Sequence, residues 1–395
     1  MGYIRFISQR YLFSKSGNNA INIIVKIASF GVLMVSAAFI IVLSGFSGIR
    51  TFNINLIKMT DPDIKITPKT GKSFLFDKDW QTVLQNDKAI KSYSKVIEEK
   101  VFINYNDKQK IARIKGVDSN YYRVINLDST LIAGHLPTPG SNEMLMGISL
   151  ANDLSFMLSN NFEMIQLLVP KPGKGFITDP RKAFYEKYFM PVGIFQTTPE
   201  HDQTYLYATL TGAQALLHYK PQQITGIEIK TAPGQIETVQ SRLTNHFGKQ
   251  FNIRNRQQLN KLLYKMLNTE NLMVYFVFAL ILLLALFNIV GTIIMIVIDK
   301  KDDIQTLRVL GLERSEIKKI FLIQGLGMTI LSGISGLILG LILVGIQNVQ
   351  PFLYIPQTNM PYPVEFHWSN VIYVLLTIVF MGALATMIGI SKIEK

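Results

Sequence analysis

Four long apolar segments dominate the pattern of hydrophobic and polar residues along the chain. Residues 272–298, 320–346 and 371–390 form runs of 27, 27 and 20 positions without a charge. Residues 21–49 form a fourth run, interrupted only by Lys26, whose long side chain can reach back to lipid headgroups. Because roughly 20 apolar residues cross the ~30 Å hydrocarbon layer of a bilayer, each run predicts a transmembrane helix.

The first segment has an alternative interpretation, and the third contains a row of small residues. A cleaved signal peptide is the alternative for the first, but its uninterrupted apolar stretch exceeds the roughly 7–15 residues of a signal-peptide core, which favours an uncleaved anchor. The third segment places Ser332, Gly336 and Gly340 at four-residue spacing, a pattern that lets two helices approach closely. With Lys26 as the only charge in any span, a proton- or sodium-driven carrier is disfavoured.

Positive charge in the short flanking segments predicts the orientation. Residues 1–20 hold three Lys/Arg and no acid, residues 299–319 hold six Lys/Arg, and the tail 391–395 holds two Lys. The loop 347–370 holds none. Since Lys and Arg concentrate on the cytoplasmic side, both termini and residues 299–319 are predicted to be cytoplasmic. Residues 50–270 then form a large extracytoplasmic domain.

That large domain reads as mixed α/β. Residues 63–68 alternate as a strand, and two strand-like runs flank Asn106 and Asp107, which predicts a hairpin. A Pro/Gly-rich stretch at 136–141 predicts a subdomain boundary, with a body at 50–140 and 224–260 and a β-rich insert at 141–223. Further strands are predicted at 164–169, 192–195, 205–210, 224–230 and 251–254, and helices at 80–96, 149–158, 212–218 and 234–247.

A long Pro/Gly-rich loop interrupts the insert at residues 170–180. Loops of this length and composition are often functional, although flexible connectors are also common. The candidate residues of this loop are Pro170, Pro172, Gly175, Phe176, Ile177 and Pro180.

No pattern in the sequence is typical of catalysis or metal binding. Gly71-Lys72-Ser73 resembles the end of a phosphate loop, but Ile66 stands where that loop needs its first Gly, so a surface turn is predicted. The cluster Glu200-His201-Asp202 is predicted to be a solvated loop, the five His lack metal-ligand spacing, and the chain contains no Cys. The net charge of +13 forms no basic patch, which disfavours nucleic-acid binding.

The segment between the second and third spans predicts a short amphipathic helix. Ile304, Leu307 and Leu310 recur at helical spacing, which predicts one apolar face. Asp302 and Asp303 at the start and Arg308 near the end suit the helix dipole. Gly311 is placed to end this helix, and Ser315 to cap the next one. Such a helix either rests on lipid or docks in a groove of a cytoplasmic partner, and its acidic start disfavours a purely lipid role.

The same region carries a resemblance to a known family. The second span contains Phe287-Asn288-Ile289, and the segment that follows reads Asp303-Ile304-x-x-Leu307-Arg308-x-x-Gly311. These motifs closely resemble the lipoprotein-releasing permeases LolC and LolE, which belong to the MacB/FtsX superfamily of ABC transporter permeases. Looser similarity extends to residues 10–12, 56–68 and 192–196. Two departures are Ser44, where the family usually has Asn, and Leu312, where it usually has Ala.

The resemblance implies a fold and an assembly. The chain would be an α-helical membrane protein with four transmembrane helices and a large α/β periplasmic domain, a MacB-like core, between helices 1 and 2. It would lie in the inner membrane of a Gram-negative bacterium as a non-catalytic permease subunit, paired with a second permease that is a paralogue or a second copy. A LolD-like ATPase would bind ATP and Mg, while this chain binds no cofactor.

The resemblance also implies roles for particular residues. The ATPase would clasp Asp303, Ile304, Leu307, Arg308, Leu310 and Gly311 and drive the outer domain by mechanical coupling. The 170–180 loop falls where LolC captures the periplasmic chaperone LolA. A lipoprotein's acylated N-terminus would occupy an apolar cavity between the first two spans of two permeases. The candidates for that membrane-embedded cavity are Phe46, Tyr264, Met266, Met273, Tyr275 and Phe276, with an ordinary lipid-facing helix as the alternative.

Other functions remain open from the sequence alone. A different MacB/FtsX-type permease would export small molecules or regulate cell-wall hydrolases. A non-transport membrane anchor or sensor would have no use for the amphipathic helix at residues 302–310.

Overall fold

The computed structural model describes residues 2–13, 19–158, 163–171, 183–356 and 360–391. Its contacts divide the chain into two compact units. We call Met1–Asn53 together with Lys265–Lys395 the membrane unit, and Ile54–Tyr264 the sheet domain.

Thirteen α-helices are assigned within the described residues. They are α1 (Gly2–Phe13), α2 (Asn19–Thr60), α3 (Lys78–Asn86), α4 (Tyr121–Val124), α5 (Ile148–Leu154), α6 (Pro199–Thr204), α7 (Leu210–Leu217), α8 (Ile236–Phe247), α9 (Arg256–Leu259), α10 (Lys261–Asp299), α11 (Lys301–Val309), α12 (Arg314–Val349) and α13 (Trp368–Ser391). A short 3₁₀-helix occupies Leu127–Thr130.

Twelve strands complete the described structure. They are β1 (Ile64–Pro68), β2 (Phe74–Leu75), β3 (Ile90–Tyr105), β4 (Lys108–Val117), β5 (Leu131–Gly134), β6 (Glu143–Gly147), β7 (Ile165–Pro170), β8 (Phe184–Phe195), β9 (Tyr205–Thr209), β10 (Gln223–Ile224), β11 (Gly226–Thr231) and β12 (Phe251–Asn255).

Four of the described helices, α2, α10, α12 and α13, are long and apolar enough to cross a membrane. Each contains one of the predicted spans and extends beyond it. Two glycines of α12 allow it to pack closely against α2. A methyl group on Gly336 would lie only 2.2 Å from the Leu33 carbonyl oxygen of α2, which is too close for any side chain. One on Gly340 would lie 2.8 Å from the Ala37 carbonyl oxygen. The predicted small-residue row therefore does bring two backbones together.

The sheet domain is built on one ten-stranded mixed sheet. Its order is β12-β1-β11-β3-β4-β9-β6-β8-β5, with β7 paired to both β3 and β8. The β3–β4 hairpin turns at Asn106 and Asp107, whose φ angles of 46° and 63° are those of the predicted two-residue turn. One apolar cluster, including Ile66, Ile114 and Trp80, packs on one face of the sheet.

The structure corrects three of the sequence predictions for this domain. The predicted helix 80–96 ends at Asn86, where the Asp87 carboxylate accepts a hydrogen bond from Ala89 N–H and the chain turns into β3. The predicted body and insert share one sheet, because β5 pairs with β8 and β4 pairs with β9 across the predicted boundary.

The third correction concerns the cluster at His201, predicted to be a solvated loop. It forms α6, in which the buried Asp202 carboxylate accepts hydrogen bonds from the N–H (2.8 Å) and hydroxyl (2.7 Å) of Thr197. The half-buried His201 imidazole lies 3.1 Å from the Tyr207 hydroxyl, and burial, followed by the charge of Lys115, lowers its pKa to about 4.

A buried ion pair crosses the second face of the sheet. Lys115 of β4 and Glu228 of β11 are 2.8 Å apart, with side chains 5% and 0% exposed. The Lys115 ammonium also lies 5.0 Å from the centre of the Tyr121 ring and 5.9 Å from that of Tyr207. Although burial alone would lower the Lys115 pKa, the attraction of Glu228 raises it well above the usual value.

Candidate functional site

The segment between the second and third apolar helices folds as predicted into a short helix, α11. Asp302 and Asp303 lie in its first turn and Arg308 in its last, where each charge opposes the nearby end of the helix dipole. We call residues 300–312 the coupling segment.

The coupling segment ends in a Schellman motif at Gly311. The Leu312 N–H donates to the Leu307 carbonyl (3.1 Å), and the Gly311 N–H donates to the Arg308 carbonyl (3.0 Å). Gly311 has a φ of +93°, which a side chain would strain. The following helix is capped at Glu313, not at Ser315 as predicted, and the Glu316 carboxylate accepts from the Glu313 N–H. Glycine and this cap together fix the angle at which the chain turns into α12.

The predicted single apolar face of α11 is divided in the structure. Ile304 is buried in the apolar core of the membrane unit, and Leu307 is half-buried with Leu312 beside it. Leu310 lies beyond the last turn and is 72% exposed, and Val309, which was not a candidate, is 88% exposed. The residues available to a partner are therefore the acidic first turn, Arg308 and the Val309–Leu310 pair.

Tyr11 of the N-terminal helix α1 braces the coupling segment. Its hydroxyl donates to the Asp303 carboxylate (3.3 Å), which also forms an ion pair with Lys300 (3.3 Å). The Tyr11 ring packs near Phe321 of α12 (6.3 Å between ring centres), and its carbonyl accepts from the Gln324 side chain. Burial, followed by the negative charge of Asp303, raises the pKa of Tyr11 to about 12. The sequence prediction included Asp303 but not Tyr11.

A cavity of about 430 Å³ lies within the membrane unit between α2, α10 and α13. Its Asn370 side chain donates to the Ser47 hydroxyl (2.9 Å). The Tyr275 and Thr377 hydroxyls are 2.7 Å apart, and the buried Asn271 side-chain oxygen has no hydrogen-bond partner within the described residues. The lining residues are Leu43, Asn268, Asn271, Leu272, Tyr275, Asn370 and Tyr373. We call it the amide-lined cavity.

Only Tyr275 among the predicted cavity residues lines it. Met266, Met273 and Phe276 are exposed on another face of α10, and Phe46 and Tyr264 are half-buried elsewhere. Residues 266, 273 and 276 share one face because they are seven and three positions apart. Residues 268, 271, 272 and 275 share a different face for the same reason. The cavity predicted between two permeases is a different place from the amide-lined cavity, and its candidate residues stay a prediction.

The predicted chaperone-binding loop is only partly described. Pro170 ends β7 and, with Lys171, borders a hollow of about 560 Å³ in the sheet domain. Phe102 and Ile111 of the β3–β4 hairpin form its exposed apolar wall. The other candidates, Pro172, Gly175, Phe176, Ile177 and Pro180, lie outside the described residues.

The described part of the chain contains no group of three or more His, Cys, Asp or Glu side chains that could hold a metal ion. The candidate site consists of the coupling segment, the amide-lined cavity and the hollow beside Pro170.

Comparisons with known proteins find similarity to one family model and to several transmembrane proteins. Residues 275–395 match the family model "FtsX-like permease C-terminal". The lipoprotein-releasing system transmembrane protein LolE of Haemophilus influenzae is 25% identical over 99% of this chain and 96% of its own length. The corresponding LolC of Buchnera aphidicola subsp. Schizaphis graminum is 28% identical over 97% of this chain and 94% of its own length.

Among solved structures, the periplasmic region of MacB from Actinobacillus actinomycetemcomitans covers 54% of this chain and 96% of its own, with a TM-score of 0.38 and 17% identity. The extracellular domain of the transporter YknZ from Gram-positive bacteria covers 49% of this chain and 99% of its own, with a TM-score of 0.35 and 12% identity.

Proposed function

We propose that this chain, a LolC/LolE-type permease of the inner membrane with a periplasmic domain, extracts lipoproteins from that membrane as one subunit of an ABC transporter. The observation that carries the proposal is similarity to lipoprotein-releasing permeases over 97% and 99% of the chain, which spans both the membrane unit and the sheet domain. The amide-lined cavity supports it, because amides, hydroxyls and apolar walls together suit the ester, amide and hydrocarbon parts of an acylated N-terminus.

Depletion of the chain in its Gram-negative host tests this function. After depletion, membranes are separated by density and outer-membrane lipoproteins are measured in each fraction. We expect these lipoproteins to accumulate in the inner membrane. Normal sorting to the outer membrane would refute lipoprotein release and return attention to efflux or to regulation of cell-wall hydrolases.

The motor is a separate LolD-like ATPase that binds ATP and Mg and docks on the coupling segment. Support comes from the exposed Val309–Leu310 pair beside charged residues, a combination that suits a protein groove. Leu310→Asp is expected to abolish co-purification of the ATPase while membrane insertion is retained. Ile111→Asp, at an exposed apolar residue of the sheet domain, is the matched control. Equal ATPase recovery from both variants would refute docking at this surface.

Both termini are cytoplasmic in this proposal, and a second permease completes the transporter. The cargo passes to a LolA-like periplasmic chaperone without crossing the membrane.

The hollow beside Pro170 supports chaperone docking, since its apolar wall is open to solvent. Phe176→Ala with Ile177→Ala is expected to reduce transfer of lipoprotein to the chaperone and to leave ATPase binding intact. Unchanged transfer would remove the 170–180 loop from the mechanism.

A further inference from the structure

The connection between α12 and α13 exposes an unusual amount of apolar surface. Its large exposed side chains are Phe352, Leu353, Tyr354, Met360, Phe366 and Trp368. The whole stretch 347–370 contains no Lys or Arg. Contiguous exposed apolar surface of this kind marks an interaction site, since water-exposed connections are normally polar. We call the described residues 350–356 and 360–367 the aromatic hairpin.

Two backbone hydrogen bonds close the described part of the aromatic hairpin. The Tyr362 N–H donates to the Leu353 carbonyl, and the Ile355 N–H donates to the Met360 carbonyl, both at 2.9 Å. The side chain of Gln347, near the end of α12, forms hydrogen bonds with the backbone of the hairpin. Its side-chain oxygen accepts from the Leu353 N–H (3.0 Å), and its side-chain nitrogen donates to the Leu353 (2.9 Å) and Tyr362 (3.2 Å) carbonyls. Pairing of this kind is what non-helical backbone needs in order to enter a region poor in water.

The aromatic hairpin is also fixed to the end of the first span. The Glu365 N–H donates to the Ser44 carbonyl (3.0 Å), and a methyl group on Gly48 would lie 2.3 Å from the Pro363 carbonyl oxygen. Asn370 lines the amide-lined cavity, and its backbone N–H donates to the carbonyl of His367 at the end of the hairpin (3.0 Å). The hairpin therefore lies at the ends of two candidate spans, α12 and α13, against residues 44–48 of α2 and beside the cavity.

We propose that the aromatic hairpin inserts into the headgroup layer of the outer leaflet of the inner membrane, so that its partner is the phospholipid surface. The hairpin starts and ends in helices long enough to cross the bilayer, which places its two ends at the membrane surface. Aromatic residues concentrate at that interface, where an apolar ring and a polar edge are both accommodated. Insertion keeps the amide-lined cavity at the depth of the headgroups, where the glycerol of a lipid anchor lies.

This proposal rests on the membrane placement of the four helices and is independent of the cargo. A chain that fails to release lipoproteins can still insert the hairpin, and a transporter with a water-exposed hairpin can still release lipoproteins. The two failures are therefore distinguishable.

Tryptophan quenching tests the insertion, because the chain contains only two Trp. Trp80 is buried in the sheet domain, and Trp368 is 73% exposed at the hairpin. The assembled transporter carrying Trp80→Phe, with every Trp of its other subunits replaced by Phe, is reconstituted in phosphatidylcholine vesicles with bromine at carbons 6 and 7 of the acyl chain, or with unbrominated lipid. We expect brominated lipid to reduce the fluorescence of Trp368 at least twofold. A second variant, Phe352→Trp with Trp80→Phe and Trp368→Phe, reports on the hairpin itself and should be quenched similarly.

Trp368→Phe alone is the matched control, because its remaining Trp80 lies in the sheet domain and should not respond to brominated lipid. Because Trp80 stacks on Phe247 (3.6 Å between ring centres), Trp80→Phe can weaken the sheet domain. A bimane label on Phe352→Cys in the otherwise Cys-free chain then replaces the fluorescence measurement. Quenching at Phe352 by aqueous iodide but not by brominated lipid would overturn the proposal. Protection from both quenchers would also overturn it and would indicate that another subunit covers the hairpin.

Discussion

Gly311→Ala tests whether the shape of the coupling segment controls docking of the proposed ATPase. At a φ of +93° the new Cβ strains the backbone, and the left-handed region costs an L-residue about 1–2 kcal/mol. No atom outside the adjacent residues lies within 4 Å of that Cβ, so this strain is the main cost and no clash adds to it. We expect the variant to relieve this strain by breaking two hydrogen bonds, from the Gly311 N–H to Arg308 and from the Leu312 N–H to Leu307.

The expected result is loosening of the last turn of α11 and weaker binding of the ATPase. If unwinding relieves the whole strain, the folded last turn loses about 1–2 kcal/mol relative to the unwound one. The fraction of chains with a folded last turn, and hence the apparent affinity for the ATPase, then falls by up to roughly 5- to 30-fold. Hydrogen exchange of the Leu310–Leu312 amides in the purified chain measures the loosening, and titration with the ATPase measures the affinity.

Gly71→Ala provides a matched control in the sheet domain. Gly71 has a φ of +79° and equally open surroundings, so its replacement adds similar strain far from the coupling segment along the chain. We expect Gly71→Ala to leave both the α11 amides and the ATPase affinity unchanged. Wild-type exchange and wild-type affinity in Gly311→Ala would refute the argument that this glycine sets the docking shape.

Three further predictions concern single contacts. Tyr11→Phe removes the hydrogen bond from the Tyr11 hydroxyl to Asp303 at a cost of about 1 kcal/mol. We expect faster hydrogen exchange of the first-turn amides of α11. Unchanged exchange would show that α1 does not stabilise this turn. Glu228→Gln leaves Lys115 buried without its counter-charge and should destabilise the chain by about 3–5 kcal/mol in thermal unfolding, while Lys115→Met with Glu228→Leu should cost much less. Because the pKa of His201 is lowered to about 4 from an ordinary 6.5, the unfolded chain binds its proton first as pH falls. Stability should therefore be fully present above pH 6.5 and decline by about 3 kcal/mol between pH 6.5 and 4, a slope that His201→Gln should reduce and that a pH series of melting curves measures.

The sequence predicted the apolar helices well, because a membrane span needs only length and the absence of charge. Residues 272–298 needed no knowledge of any partner helix to be recognised. The hairpin at Asn106 and Asp107 was equally local, since those residues tolerate the positive φ that the turn requires. The helix predicted at 80–96 failed for a local reason too. The Asp87 carboxylate accepts a hydrogen bond from the Ala89 N–H. This local hydrogen bond ends the helix even though the apolar spacing favours its continuation.

The candidate site was less predictable, because it depends on which face of a helix is covered. Residue type suggested Met266, Met273 and Phe276 for a cavity between two permeases, whereas the amide-lined cavity within this chain is lined by the face of α10 that carries polar side chains. The spacing of Asn268, Asn271 and Tyr275 was a usable signal, since positions three and seven apart share one face of a helix. Tyr11 had no such signal: its contact with Asp303 joins residues 292 positions apart.

The first apolar helix has a mechanical consequence. Helix α2 runs for 42 residues without interruption, about 63 Å at 1.5 Å per residue, and ends at Thr60, four positions before β1. Gly336 and Gly340 press its backbone against α12, the helix that the coupling segment leads into. A tilt of α12 is therefore shared by the part of α2 that carries Leu33 and Ala37, so these two helix segments move as one rigid pair.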